Sequence, residues 1–322
     1  MDDAAADVLC QRGWIAHEQQ RANSSACAQS SHAGARHGGA ICSALRALAG
    51  RSLFFYGDSL LRQQFHQLLC TCRRHVMLES ASHAYWRCDP DLPGVTPAYA
   101  RKCLHNSTSI ALRPGPPERP ERRVWLHWAY TPGTWLREAA WSQRREAPAI
   151  WASGSEWLSK LRAADVVVFG VGAWWAQFGV AEWNASLWSW TAFLDSHVRY
   201  ENQRVWLEYF AGHFASSTGE WSKEAKRATR CAPVAASAAA QWPGRIAAEA
   251  WARASRTRIW RVAEASLPRH DDHPGSLGLQ TSLWIGNLPV ALLFDCRHFC
   301  FPGATLAARN RALVELLRGT FL

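Results

Sequence analysis

The sequence predicts an α/β protein, a doubly wound α/β/α sandwich on a mostly parallel sheet, preceded by a Cys-containing N-terminal appendage. Three observations predict it. Short apolar runs bounded by turn residues recur at Leu53 to Tyr56, Val166 to Phe169, Arg204 to Phe210 and Val290 to Phe294. Segments with helical apolar spacing alternate with them. A hydrophobic content of 48% over 322 residues suffices for the core of one large domain with elaborations.

In chain order, the first fifty residues are rich in Ala, Ser and Gly and carry Cys10, Cys27 and Cys42. Residues 1–50 are therefore assigned to a loop-rich segment stapled on by disulfides, and residues 51–322 to the α/β domain. Leu53 to Tyr56 is the first strand, and the stripe Leu61, Phe65, Leu68, Leu69 and Cys72 marks a helix after it. "RPGPPERPERR", Arg113 to Arg123, is a surface loop that neither helix nor strand could cross. The run Val166 to Phe169, stopped by glycines, has the form of a buried parallel strand, and Arg204 to Phe210 is the third strand. Arg245 to Ala254 follows Trp242-Pro243-Gly244 as an amphipathic helix. Val290 to Phe294 is the final strand, leading through "DCRHFCFPG" to a helix over Ala307 to Leu317.

Composition narrows the function classes. The longest apolar stretch, Val166 to Ala181, is broken by Gly170, Gly172, Gln177 and Gly179, short of the roughly 20 residues that span a bilayer. Membrane association is expected only through an anchor absent from this chain. The opening "MDDAAADVLC" lacks a basic region followed by an apolar one, so on a secretory route the chain is a trimmed product. Ten cysteines and the acceptors Asn23-Ser-Ser, Asn106-Ser-Thr and Asn184-Ala-Ser favour that route and an oxidising lumen. The net charge of +10 is carried mostly by scattered Arg. No nucleic-acid-binding motif accompanies it, so a solvated basic surface is favoured, with an anionic glycan as a second use. The 19 Trp residues build core for the most part, although flat indoles also serve as platforms for sugar rings.

Ligands in an open α/β sheet gather at the carboxyl ends of strands. Three groups are expected there: Ser59 after the first strand, Gly170 to Trp175 after the second, and Asp295 with His298 after the last. A serine hydroxyl needs a base to take its proton, and the base needs an orienting acid. Asp295-x-x-His298 can supply both. A lone Gly-Asp-Ser before a helix is more often a turn and N-cap, and a lone Asp-x-x-His a local salt bridge; the case for chemistry rests on both following strands. "RHDDHPG", Arg269 to Gly275, offers His270 or His273 as a rival base and is assigned to a substrate-side or structural role. Metal is a further rival, through Cys70, Cys72 and His75 or Cys296, His298 and Cys300, but these spacings are not those of zinc modules. Disulfides explain them with fewer assumptions, and no metal is expected.

"GDSLLRQQ" (Gly57 to Gln64), "DVVVFGVGAWW" (Asp165 to Trp175), "GHFASSTGEW" (Gly212 to Trp221), "RHDDHPG" and "DCRHFCFPG" (Asp295 to Gly303) resemble, in order, successive blocks of the trichome-birefringence-like polysaccharide O-acetyltransferases. That family belongs to the SGNH or PC-esterase group. The resemblance implies an SGNH-hydrolase-like sandwich, a Ser59, His298 and Asp295 triad, and an acetyl group passed through acyl-Ser59 to a polysaccharide or oligosaccharide hydroxyl. No bound cofactor is implied; an acetyl donor, acetyl-CoA or another acyl carrier, is a co-substrate. The implied location is the Golgi lumen or the secretory pathway. Trp174 and Trp175 match the family's paired Trp, and Arg62, His213, Asp271 and His273 join them as substrate-binding candidates. Cys42, Cys70, Cys231, Cys296 and Cys300 sit where family cysteines are expected, and Cys231 with Cys296 or Cys300 is implied to clamp the catalytic loop.

The chain also departs from the family. Gly170 stands where an Asn is usual, Gln63 where Asn is common, and Phe299 where the family has Trp. Loss of one oxyanion-hole donor typically costs about 10²- to 10³-fold in rate. Ser59 and Gly172 N–H groups, helped by Gln63 or Arg62, are the expected replacements. Two alternatives share the sequence features: a carbohydrate esterase, in which water takes the acyl group, and a glycan-binding relative without turnover.

Overall fold

The computed structural model describes residues 38–72, 77–87, 104–113, 123–130, 156–170, 179–199, 203–208, 212–220, 230–273, 280–285, 288–294, 296–297, 299 and 303–321. Helix α1 (Gly38–Ala47) precedes strand β1 (Ser52–Gly57) and helix α2 (Ser59–Cys72). Strands β2 (Met77–Arg87), β3 (Leu104–Arg113) and β4 (Val124–Tyr130) follow, then α3 (Glu156–Ala163), β5 (Val166–Gly170), α4 (Val180–His197) and β6 (Arg204–Leu207). The chain continues through α5 (Ala236–Ala240), α6 (Pro243–Ala254), β7 (Arg258–Trp260), α7 (Ala263–Ser266), β8 (Gln280–Ile285), β9 (Leu288–Phe294) and α8 (Ala304–Phe321).

The main sheet runs β2-β3-β4-β1-β5-β6-β7. Its five strands from β4 to β7 are parallel, and β2 and β3 extend it antiparallel. Side chains alternate across a strand, and β1 shows what that does here. Leu53 and Phe55 enter one core with α1, α2 and α8, whereas Phe54 and Tyr56 enter the other with α3, α4 and α6. Helices therefore cover both faces, which is why β5, and β1 after Ser52, are continuous apolar runs rather than alternating. Among the described residues, the side chains of Trp183, Trp206, Trp242, Trp251 and Trp260 are fully enclosed. No helix among the described residues is long and apolar enough to cross a membrane.

The expected strands at Leu53, Val166 and Arg204 and the helices at Leu61, Arg245 and Ala307 all form, with shifted ends. Two placements differ. Gly38–Ala47, assigned to a loop-rich appendage, is helical, and Ile41, Cys42 and Leu45 are buried against α2 and α8. Their i, i+1, i+4 spacing makes an apolar stripe that the surrounding Ala and Gly obscure. The strand at Val290 to Phe294 does form within β9, but it pairs antiparallel with β8 in a separate two-stranded sheet. Only two residues separate β8 from β9, so closing that hairpin costs far less chain entropy than joining the distant parallel sheet. The place beside β6 goes to β7, whose three residues are too few to show a pattern in sequence.

Candidate functional site

The chain leaves β1 and β5 towards opposite faces of the sheet. After β1 it enters α2, in one core; after β5 it reaches α4, in the other. Adjacent parallel strands whose connections diverge leave a crevice at their carboxyl ends, the switch point at which α/β proteins bind ligands. Gly57 and Gly170 face each other there in register. A Cβ on Gly57 would lie 2.1 Å from the Gly170 carbonyl oxygen, so only glycine fits. That carbonyl also accepts the Asp58 N–H at 3.1 Å, fixing the Gly-Asp-Ser turn.

The turn settles which residue caps the helix. Asp58 is buried; its Oδ1 accepts the Leu60 N–H at 2.9 Å, and its backbone carbonyl accepts the Arg62 N–H at 3.0 Å. Asp58 is thus the N-cap of α2. Ser59 opens the first helical turn part-exposed, at the end of β1, beside part-exposed Arg62.

Four and eight residues beyond Ser59, on the same stripe of α2, stand Gln63 and Gln67, both buried. Gln63 Nε2 donates to the Phe299 carbonyl at 2.5 Å, and the Phe299 N–H donates to Gln63 Oε1 at 3.2 Å. Gln67 Oε1 accepts the Gly303 N–H at 3.1 Å, while its Nε2 donates to Thr71 Oγ1. The returning loop is therefore gripped at Phe299 and Gly303 by successive turns of the helix that Ser59 begins. His298 and Asp295, outside the described residues, are bonded neighbours of Phe299 and Cys296.

The other side of the loop is held as firmly. Cys296 is disulfide-bonded to Cys231 and accepts the His213 N–H at 2.7 Å through its carbonyl. Buried Arg297 donates to Glu220 Oε2 at 2.5 Å. The Phe299 ring lies 4.2 Å from the His273 ring centroid and 4.2 Å from the Arg309 guanidinium carbon. Burial lowers the Arg309 pKa to about 9 despite the opposing charges of Asp272 and Glu208, and its guanidinium donates to Ser266 Oγ at 2.7 and 2.9 Å.

His213 and His273 form a buried pair, with His213 Nδ1 2.6 Å from His273 Nε2. His213 Nε2 lies 2.9 Å from the Leu267 carbonyl, which can only accept, so Nε2 carries the proton. A neutral His213 then accepts from His273 at Nδ1. Burial holds the His213 pKa below its ordinary value; the Leu267 hydrogen bond opposes this, and His270, Arg309 and Arg297 lower it further.

These contacts revise several expected roles. Gln63, expected as an oxyanion donor, has an enclosed amide that is hydrogen-bonded at both its oxygen and its nitrogen to the Phe299 backbone. His213 and His273, expected to bind substrate, are 1% and 0% exposed and pack against the Phe299 ring of the loop. In "RHDDHPG", exposed Asp271 pairs with Arg269, and Asp272 accepts from Thr305 N–H and Oγ1 at the start of α8. Cys42 bonds to Cys72, which removes Cys72 from the rival metal set, as the Cys231 bond removes Cys296. Asn184 is exposed on α4, and Asn106 lies in β3. Asp295, His298, Gly172, Trp174, Trp175, Cys300 and Asn23 lie outside the described residues, as does His75. For Cys70 only its place in α2 is described.

Sequence reasoning missed Gln67, Arg297 with Glu220, and Arg309. A signal for the first existed, since Ser59, Gln63 and Gln67 recur every four residues through an apolar helix, and polar groups kept inside a core must find partners. At Gly170, where the resemblance leads one to expect Asn, a Cβ would meet Leu207 Cβ at 3.0 Å and Cδ2 at 3.2 Å, so Leu207 crowds any side chain placed there. Neither the protein-family models nor the curated proteins contain a match to this chain.

Proposed function

We propose that the protein is an O-acyltransferase of the SGNH type that moves an acetyl group to a polysaccharide hydroxyl through acyl-Ser59. The observation that carries this is the stripe Ser59, Gln63 and Gln67. One helix presents the serine at the switch-point crevice and, in its next two turns, grips the loop that contains Asp295 and His298. A loop tied at both ends beside the serine supports a preorganised nucleophile, base and acid.

In the first half-reaction Ser59 Oγ attacks the donor's acetyl carbonyl. His298 takes the hydroxyl proton and returns it to the leaving group, with Asp295 holding the imidazole. In the second, His298 takes the proton of a sugar hydroxyl whose oxygen attacks the acyl carbon, and Ser59 Oγ leaves and recovers the proton. We assign the oxyanion to the backbone N–H groups of Ser59 and Gly172, because Gln63 is committed elsewhere. The acetyl donor is acetyl-CoA or another acyl carrier. Disulfides in the described residues support a secretory-pathway location.

Leu207 filling the space beside Gly170 favours a second reading, a glycan-binding relative without turnover. Mass spectrometry of the Ser59 peptide after brief incubation with acetyl donors decides between them, with labelled glycans chased in. Acetyl found on wild-type Ser59, absent from Ser59→Ala and passed to glycan is the expected result. Loss of the adduct only to water would make the protein an esterase. Unmodified Ser59 with every donor, together with glycan affinity indifferent to Ser59→Ala, would leave binding as the function.

A further inference from the structure

We infer that Asn184 is an N-glycosylation site whose first sugar rings lie on Trp188, completing the outer face of α4. The helix has two unlike sides. On the inner side Trp183, Leu187 and Leu194 are buried in the second core, Trp183 Nε1 donates to the Gly244 carbonyl at 3.1 Å, and Trp251 Nε1 donates to Thr191 Oγ1 at 2.6 Å. On the outer side Val180, Asn184 and Trp188 follow one another at four-residue intervals, and all three are exposed. Only three large apolar side chains among the described residues are exposed, and two of them, Val180 at 39% and Trp188 at 47%, bracket this asparagine.

Asn184-Ala185-Ser186 is an acceptor triplet for N-linked oligosaccharide. Neighbours four apart on a helix are within reach of each other, so a sugar on Asn184 Nδ2 emerges beside an indole face that no described element covers. Sugar rings have an apolar C–H face suited to such a surface, and covering it removes the exposed indole from water. The disulfides Cys42–Cys72 and Cys231–Cys296 point independently to the oxidising compartment in which this modification occurs. The donor class is a lipid-linked oligosaccharide diphosphate. Its anomeric C1–O bond breaks, C1 bonds to Asn184 Nδ2, the amide loses one proton, and the lipid diphosphate leaves with the electron pair.

The full chain, produced behind a secretion signal in a eukaryotic host, is treated with peptide N-glycosidase in heavy-oxygen water and mapped by mass spectrometry. Heavy-oxygen aspartate at position 184 is expected; unmodified asparagine there overturns the site. A double-mutant cycle then compares Asn184→Gln, Trp188→Ala and the pair by thermal melting of the secreted protein. Asn184→Gln is expected to lower Tm by about 1 to 3 °C in the wild-type background and to have no effect once Trp188 is Ala. Equal losses in both backgrounds overturn the sugar–indole contact. So does the same loss for Asn184→Gln in protein made in bacteria without the glycosylation machinery, since the effect would then belong to the asparagine itself.

Discussion

Whether Ser59 is a cap or a nucleophile is a question about one hydroxyl, and the neighbouring residue bears on the first half of it. Asp58 Oδ1 already accepts the Leu60 N–H, so α2 does not depend on the serine for its start. Replacing Asp58 with Ala should cost about 1 kcal/mol, whereas Ser59→Ala should change stability by less than about 0.5 kcal/mol and abolish acylation; urea melts and Ser59 peptide mass spectra test both. Gln63 gives the converse case. Gln63→Met keeps the length of the side chain but strands the buried Phe299 N–H and carbonyl, at a cost of about 2 to 4 kcal/mol if each is left unsatisfied. Acylation of Ser59, measured in the remaining folded protein, should fall at least tenfold. Glu at this position, which keeps one acceptor for the Phe299 N–H, should restore part of the loss.

At the scale of elements, the crevice depends on how closely β1, β5 and β6 approach. Gly57 touches the β5 backbone, and Gly170 touches the Leu207 side chain from β6. A Cβ at 57 would meet a carbonyl that cannot move without breaking the sheet, so Gly57→Ala should cost about 3 kcal/mol, at the upper end of overpacking penalties. At 170 the obstacle is a side chain, so Gly170→Ala should cost about 1 kcal/mol and less still in a Leu207→Gly background, which removes the Cβ that lies nearest. Equal costs of Gly170→Ala in both backgrounds, by chemical denaturation, would mean that Leu207 does not crowd this position. Gly170→Asn combined with Leu207→Gly tests whether this position accepts an Asn side chain; a higher acylation rate would show that an added oxyanion donor speeds the reaction.

For the whole molecule, two enclosed histidines link stability to pH. Burial lowers the His127 pKa to about 4, with Lys160 adding to it, and burial likewise lowers that of His213. Unfolded, each titrates near its ordinary value of 6.5. Above that pH both states are neutral and no stability is lost. As pH falls below it the unfolded chain binds protons that the folded chain refuses, so stability falls towards pH 4 for His127. For His127 the slope approaches about 1.4 kcal/mol per pH unit between these values, and His213 adds to it in the same direction. Denaturant midpoints at pH 7.5 and 5.5 should therefore differ, and His127→Gln should remove its share of the difference while leaving that of His213.

Periodicity and turn chemistry made the α/β class, helix α2 and the Gly-Asp-Ser turn legible in the sequence, because apolar spacing within one element reports directly which side of it is buried. The order of motifs likewise brought Ser59, Asp295 and His298 forward as a set. Folding alone decided what depends on contacts between distant segments: that Cys42 pairs with Cys72, that β9 turns back on β8, and that Gln63 pairs with the Phe299 backbone. A glutamine carries the same donor and acceptor wherever it stands. Its partner lies 236 residues along the chain, and only the packing of α2 against the returning loop, which denies both of them water, makes that partner the one it must have.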